Sequence, residues 1–239
     1  MLVATYNVHR GRGTAGLFRP DRVARVIAEI GADLIALQEA QHYFRRGKDM
    51  LDTEWIEREA GLHLLRVGGR PEEQGWRSNL VLIRKNARIL RPPEGLPMGG
   101  MEPRGAILTE LDLGWGPFRL LATHLSLGAA RRRIQGEALL AAMQTGQGKR
   151  LPTLLLGDFN EWRMGASVLG VLEPAFGHPH SAPTFPAFRP FLALDRIMGH
   201  PRGLVPDVEA HDTPLARRAS DHLPLKARIN TALLAPRPD

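Results

Sequence analysis

The chain has 239 residues, no cysteine and a formal charge of +7 from 32 basic and 25 acidic side chains, and 43% of it is hydrophobic. Length and apolar content suffice for one sizeable core, while zero cysteines exclude a disulfide framework, a zinc–thiolate site, an iron–sulfur cluster and a cysteine nucleophile. No apolar run reaches the roughly 18 residues of a membrane span, and no charged stretch followed by a long apolar one opens the chain as a signal peptide would, so a cytoplasmic protein, at most peripheral to a membrane, is expected.

Residues 2–8 read as a first strand. Residues 20–30 predict a helix, because Val23, Val26, Ile27 and Ile30 share one face and Gly31 ends it. A buried strand follows at 33–38, a short helix at 53–60 closed by Gly61, and a strand at 79–84. Residues 92–103, with four prolines and three glycines, predict a loop. Strands at 105–113 and 118–123, a helix at 130–144, a strand at 153–156, a proline-rich loop at 178–190 and strands at 192–197 and 223–229 complete the pattern. Apolar runs alternating with helical patterns imply a layered α/β domain, without repeats or a composition shift. One domain is expected over residues 1–230, with a disordered tail at 231–239.

Five apolar runs end in a polar residue that a core strand would not choose: Asn7, Glu39, His124, Asp158 (with Asn160 two residues on) and Asp195. Asp221 and His222 sit just before the final strand. If the strands lie side by side, these ends form one rim of carboxylates, imidazoles and amides. Clustered carboxylates repel, and some would protonate unless a cation held them. Oxygen and imidazole donors without thiolate suit Mg²⁺, Mn²⁺ or Ca²⁺. The remaining groups match metal-assisted hydrolysis, with a carboxylate on water, a carboxylate-held histidine, and donors to phosphate oxygens.

Thr-Tyr-Asn-Val (5–8), Leu-Gln-Glu (37–39), Ser-Asn-Leu-Val-Leu (78–82), Thr-His-Leu (123–125), Gly-Asp-Phe-Asn (157–160), Leu-Asp-Arg-Ile (194–197) and Ser-Asp-His-Leu-Pro-Leu (220–225) together resemble the endonuclease/exonuclease/phosphatase superfamily. Gly-Asp-Phe-Asn alone would arise by chance on the order of once in a thousand such chains, but here seven motifs stand in the superfamily's order. The resemblance implies a DNase I-like α/β (α+β) fold, a four-layer sandwich of two packed mixed β-sheets flanked by helices. It also implies Mg²⁺ as cofactor, with Mn²⁺ as a substitute, and a set of roles. Glu39 matches the principal metal ligand, and Asn7 and Asp221 match residues touching the metal or its waters. Asp158 matches the carboxylate that orients and activates water. Asn160 and His124 match donors to the scissile phosphate, His222 the histidine beside it, and Asp195 the carboxylate holding that histidine. Asn79 matches a polar residue near substrate. Either Asp158 or His222 takes the proton.

Each residue also has a plainer reading: Glu39 as a helix cap or arginine partner, Asn7 as a turn residue, His124 as a core histidine, Asp158 and Asn160 as an Asx turn, and Asp195 as a partner of Arg196. Of the remaining histidines, His9 stands nearest a motif. The basic charge comes from 28 arginines and four lysines, which reflects either codon usage or phosphate contact. Arg131, Arg132 and Arg133 open a predicted helix, where cations oppose the helix dipole and a bound phosphate would reverse that sign. At least one is expected to face substrate, the other reading being a solvated face; Arg10 and Arg12 make a weaker case.

The reaction expected is hydrolysis of a phosphodiester in an anionic substrate: a lipid headgroup, a small diester or nucleic acid. A nuclease proper, a phosphomonoesterase, and an inactive basic module binding nucleic acid or membrane are the alternatives. No protein partner is implied.

Overall fold

The computed structural model describes residues 1–45, 48–68, 74–99, 104–144 and 151–234. One mixed sheet is built from β1 (Leu2–Asn7), β2 (Leu34–Gln38), β3 (Leu62–Leu64), β4 (Leu80–Arg84), β10 (Glu209–Ala210) and β11 (Leu225–Arg228), in the order β10-β11-β1-β2-β4-β3. The other is built from β5 (Arg88–Pro97), β6 (Gly105–Asp112), β7 (Pro117–His124), β8 (Thr153–Asp158) and β9 (Asp195–His200), in that order. Each sheet contains one parallel pair, β1 with β2 and β7 with β8, and its other neighbours run antiparallel. The parallel pairs need crossovers, and helices α1 (Pro20–Ile30) and α3 (Ala129–Met143) supply them.

The sheets pack face to face over Val3, Leu34, Val81, Ile107, Phe118, Leu120, Leu156 and Ile197. Alternate residues point outward, where α1 and α2 (Thr53–Ala60) cover the first sheet through Val23, Ile27, Ile30 and Ile56. Helices α3 and α4 (Ser167–Phe176) cover the second through Leu139, Val168, Leu169 and Leu172. The result is the helix–sheet–sheet–helix sandwich that the motifs imply. Local signals agree. Pro20 opens α1, Gly31 closes it at φ 63°, the Asp52 carboxylate caps α2 by accepting from Trp55 N at 2.9 Å, and Gly61 closes that helix at φ 67°.

The strand expected at 192–197 is β9 at Asp195–His200, so Asp195 opens it rather than ending an apolar strand, and the short β3 and β10 had no counterpart in the sequence reading. Three further features differ. Residues 92–97, expected in a loop, belong to β5; this is an edge strand with register shifts between Ile89 and Arg91 and between Arg91 and Glu94, where proline's missing N–H is tolerated. The rest of that expected loop includes residues 100–103, which lie outside the described residues. Helix α4 was unexpected because it contains Gly170 and Pro174, yet its apolar face covers β8 and β9. Of the expected tail, Thr231–Leu233 form a 3-10 turn and Leu234 is buried between the sheets, while residues 235–239 lie outside the described residues. Among the described residues no helix is long and apolar enough to cross a membrane.

Gly157 marks the tightest approach in the second sheet. It sits opposite Thr123 at φ 153°, and a Cβ there would run into the Thr123 carbonyl. Gly157→Ala is therefore expected to push β8 off β7 and displace Asp158, at about 3 kcal/mol or more and a Tm fall on the order of 10 °C. Thermal unfolding by circular dichroism checks this; an unchanged Tm would contradict the packing.

Candidate active site

A strand's side chains alternate between faces, so each inter-sheet stripe has a last member. On β1 the stripe Val3, Thr5 ends at Asn7; on β7 Leu120, Ala122 ends at His124; on β8 Leu154, Leu156 ends at Asp158. Strand β9 runs antiparallel, so its stripe begins at Asp195 before Ile197. His124 pairs with Asp158, and Asp158 with Asp195, in adjacent ladder positions. Asn7 pairs with Gln38, and Glu39 follows. The polar ends from both sheets thus gather at one rim, and the sites predicted on separate motifs share it.

Asp158 is the centre. Its Oδ2 accepts from Asn7 Nδ2 at 2.9 Å, across the gap between the sheets, and lies 3.4 Å from His124 Nε2 and 3.9 Å from His222 Nε2. Its Oδ1 accepts from Asn160 N at 2.9 Å, an Asx turn that holds Asn160 at φ 52°. Asn160 Nδ2 donates to the Leu125 carbonyl at 3.0 Å and lies 3.3 Å from His124 Nε2. The turn and the rim are one feature.

His222 Nδ1 lies 2.9 Å from Asp195 Oδ2, and the Thr184 hydroxyl donates to the same oxygen at 2.6 Å. Burial by itself disfavours the imidazolium, but Asp195, Asp158 and Asp221 outweigh it and raise the His222 pKa to about 10. Asp195 does not pair its carboxylate with Arg196, which instead donates to the Asp195 and Glu161 carbonyls. His124 goes the other way. Burial lowers its pKa to about 4, and the charges of Arg104 and His222 act in the same direction against Asp158. Arg104 Nη1 lies 2.7 Å from Nδ1 and 2.9 Å from Nε2 of that ring. Two buried histidines on one carboxylate are thereby held in opposite charge states.

The oxygen donors at the rim fit a divalent cation. Glu39 is partly buried, stands in the left-handed region at φ 53°, and its carboxylate lies 3.9 Å from the Arg10 guanidinium. Asp221 Oδ1 accepts from the Ser220 hydroxyl and lies 3.5 Å from His9 Nδ1. The Ser220 hydroxyl lies 2.7 Å from the Asn7 carbonyl and 3.3 Å from Asp221 Oδ1, placing Asp221 beside Asn7. Deeper in the rim, ligand atoms of Asp158, Asp195 and His222 lie within 4.8 Å of one another and could also hold an ion, and buried Asp195 Oδ1 has no hydrogen-bond partner. Non-glycine residues at positive φ gather here, including His9, Arg10, Glu39 and Asn160; such strain is common where side chains must be aimed.

Two side chains assigned to substrate turn inward. Asn79 is buried, and its Nδ2 donates to the Trp76, Arg77 and Gly105 carbonyls, so it staples the start of β4 to the start of β6 rather than facing substrate. Arg132 is buried too. Its guanidinium pairs with Glu161 Oε2 at 2.8 Å and donates to the Ser126 and Leu127 carbonyls, so it locks the start of α3 onto the loop after β8. Arg133 lies exposed, 3.8 Å from Glu137, and Arg131 is exposed near Gly99. Arg104, Thr184 and Ser220 were missed. Arg104 reaches His124 through the β6–β7 register, in which the neighbouring Gly105 pairs with His124, and nothing in the sequence marks it.

The sequence profile of the Endonuclease/Exonuclease/phosphatase family matches residues 4–222. The uncharacterised protein YbhP of Escherichia coli (strain K12) is 28% identical over 260 aligned positions, spanning 95% of each chain. A functionally unknown protein of Enterococcus faecalis V583 superposes with a TM-score of 0.73 at 19% identity, over 96% of this chain and 99% of that one. A mannosyl-6-phosphatase of Bacteroides thetaiotaomicron superposes with a TM-score of 0.67 at 17% identity, over 96% and 99%.

The buried Arg132–Glu161 pair predicts a stability effect. Burial alone would raise the Glu161 pKa, but hydrogen bonds from Arg163 and Arg132 lower it from 4.5 to about 2. The pair's contribution is therefore complete above about pH 4.5 and lost as the pH falls through about 2. Arg132→Ala leaves the buried Glu161 carboxylate to Arg163 alone and is expected to destabilise by about 1–3 kcal/mol at neutral pH. Urea unfolding at several pH values checks this, and unchanged stability would return Arg132 to the substrate side.

Proposed function

Because this chain belongs to the Endonuclease/Exonuclease/phosphatase family, we propose that it is a divalent-metal-dependent phosphoesterase that hydrolyses a phosphodiester. The observation that carries the reading is the convergence of Asn7, His124, Asn160 and the His222–Asp195 pair on the single carboxylate of Asp158.

Asp158 is held on both oxygens, so it can aim a water and take its proton as the new P–O bond forms. His222, charged through Asp195, is a donor rather than a base, and stabilises charge developing on phosphate as the ester P–O bond breaks. That assignment gives the proton acceptor to Asp158. Neutral His124 and the Asn160 amide flank the same phosphate and fix its orientation. Glu39, with Asn7 and Asp221, would hold Mg²⁺ or Mn²⁺. When bound, the cation neutralises phosphate charge and stabilises the leaving oxygen. This set is preferred to the deeper trio because His222 and Asp195 already bond each other, and because all-oxygen donors suit Mg²⁺. A diester fits a rim bearing Glu39, Asp158, Asp195 and Asp221 better than a monoester, since it brings one negative charge rather than two.

The test is hydrolysis of bis-p-nitrophenyl phosphate with Mg²⁺, with Mn²⁺ and with EDTA. Turnover is expected with either metal and not with chelator. Asp158→Asn and His222→Ala are each expected to lower kcat by about 10²–10⁴. Turnover of p-nitrophenyl phosphate alone would replace the diesterase reading with a phosphomonoesterase. In calorimetry, Glu39→Ala is expected to abolish Mg²⁺ binding while His222→Ala retains it. The reverse outcome would place the ion at Asp158, Asp195 and His222.

A further inference from the structure

Apart from Ile89 and Leu90 on edge strand β5, every large apolar side chain exposed among the described residues belongs to the end of the sandwich that carries the site. These side chains stand on loops leaving the site ends of the strands or on the first two turns of α3. The most prominent are Leu17 after β1, Phe44 after β2, Leu127 after β7, Trp162 after β8, and Phe188 and Phe191 before β9, all between 49 and 69% exposed. Loops from both sheets contribute. Soluble proteins seldom concentrate such side chains without a partner.

Arginine accompanies the apolar tips. Phe44-Arg45, Trp162-Arg163 and Phe188-Arg189 are exposed pairs on three separate loops. Arg163 lies 5.5 Å from the Trp162 ring, Arg12 lies 4.5 Å from the Tyr43 ring, and Arg217 Nη1 donates to the Phe188 carbonyl at 3.2 Å. The Phe18, His42 and Phe44 rings stack into one unit that joins the loops after β1 and β2. An apolar tip beside a guanidinium suits the boundary between acyl chains and anionic headgroups, and the net charge of +7 complements such a surface.

We propose that the mouth of the site docks on an anionic phospholipid bilayer, so that the diester presented to Asp158 is a phospholipid headgroup. The substrate part rests on the phosphodiesterase reading; the docking part does not. Single-stranded nucleic acid fits less well, because the exposed apolar side chains include Leu17, Leu127, Ile134 and Met164, which have no ring to stack on a base.

Docking is tested without turnover, by cosedimenting the Asp158→Asn protein in EDTA with vesicles of phosphatidylcholine alone or mixed equally with phosphatidylglycerol. Binding to the mixed vesicles is expected, with affinity falling at least about tenfold in a Phe188→Ser/Phe191→Ser variant. Phe44→Ser, on another loop, should weaken binding independently. In an otherwise wild-type background, both variants should keep kcat/KM on bis-p-nitrophenyl phosphate, a substrate free in solution. Three outcomes overturn the docking: no binding to the mixed vesicles, binding that neither variant weakens, or a single-stranded oligonucleotide bound more tightly than vesicles through the same phenylalanines. Vesicle binding without hydrolysis of any ester would leave docking standing and remove the activity.

Discussion

Two sheets packed face to face must end their shared interior somewhere, and in this protein they end it in hydrogen bonds. The Asn7 amide crosses from the first sheet to the Asp158 carboxylate on the second at 2.9 Å. The Asn79 amide crosses in the same sense to the Gly105 carbonyl. These crossings close the apolar layer where a further leucine would meet solvent. Everything chemical follows from that closure. A buried carboxylate needs partners, the partners available are the last members of neighbouring stripes, and the ladder registers bring them within bonding distance.

Electrostatics then divides the labour. His124 and His222 are equally enclosed, and desolvation disfavours the charge on both. His222 has Asp195 on its far nitrogen, and Thr184 fixes that carboxylate. His124 has a guanidinium on its ring. One imidazole is therefore held charged and the other neutral, while Asp158 between them stays fixed by Asn7 and Asn160. Groups whose environments push their proton affinities apart are the arrangement on which acid–base chemistry depends. The ion pair of Arg132 with Glu161 supports the same wall from behind, tying α3 to the loop that carries Asn160.

The rim was legible in the sequence because a polar residue ending an apolar run is conspicuous against period-two alternation. Asn7, Glu39, His124, Asp158 and Asp195 were visible that way, and the fold followed from the order of their motifs. Residues whose roles depend on what packs against them were not legible. Arg132 and Asn79 have the composition of substrate contacts, and only tertiary packing turns them inward to bond backbone carbonyls. Arg104 and Thr184 lie in proline-rich surroundings without a period, so their proximity to His124 and Asp195 had no local signature. Strand β5 hid for a related reason. Proline argues against a central strand, and β5 is an edge.

The central claim is that Asp195 keeps His222 charged beside Asp158. Nitrogen-15 NMR of the His222 ring in chelator-treated protein tests it most directly. The account predicts an imidazolium through neutral pH that titrates near 10, and a marked fall on Asp195→Asn. A neutral ring at pH 7 in the wild-type protein would contradict it and return the role of proton acceptor to His222.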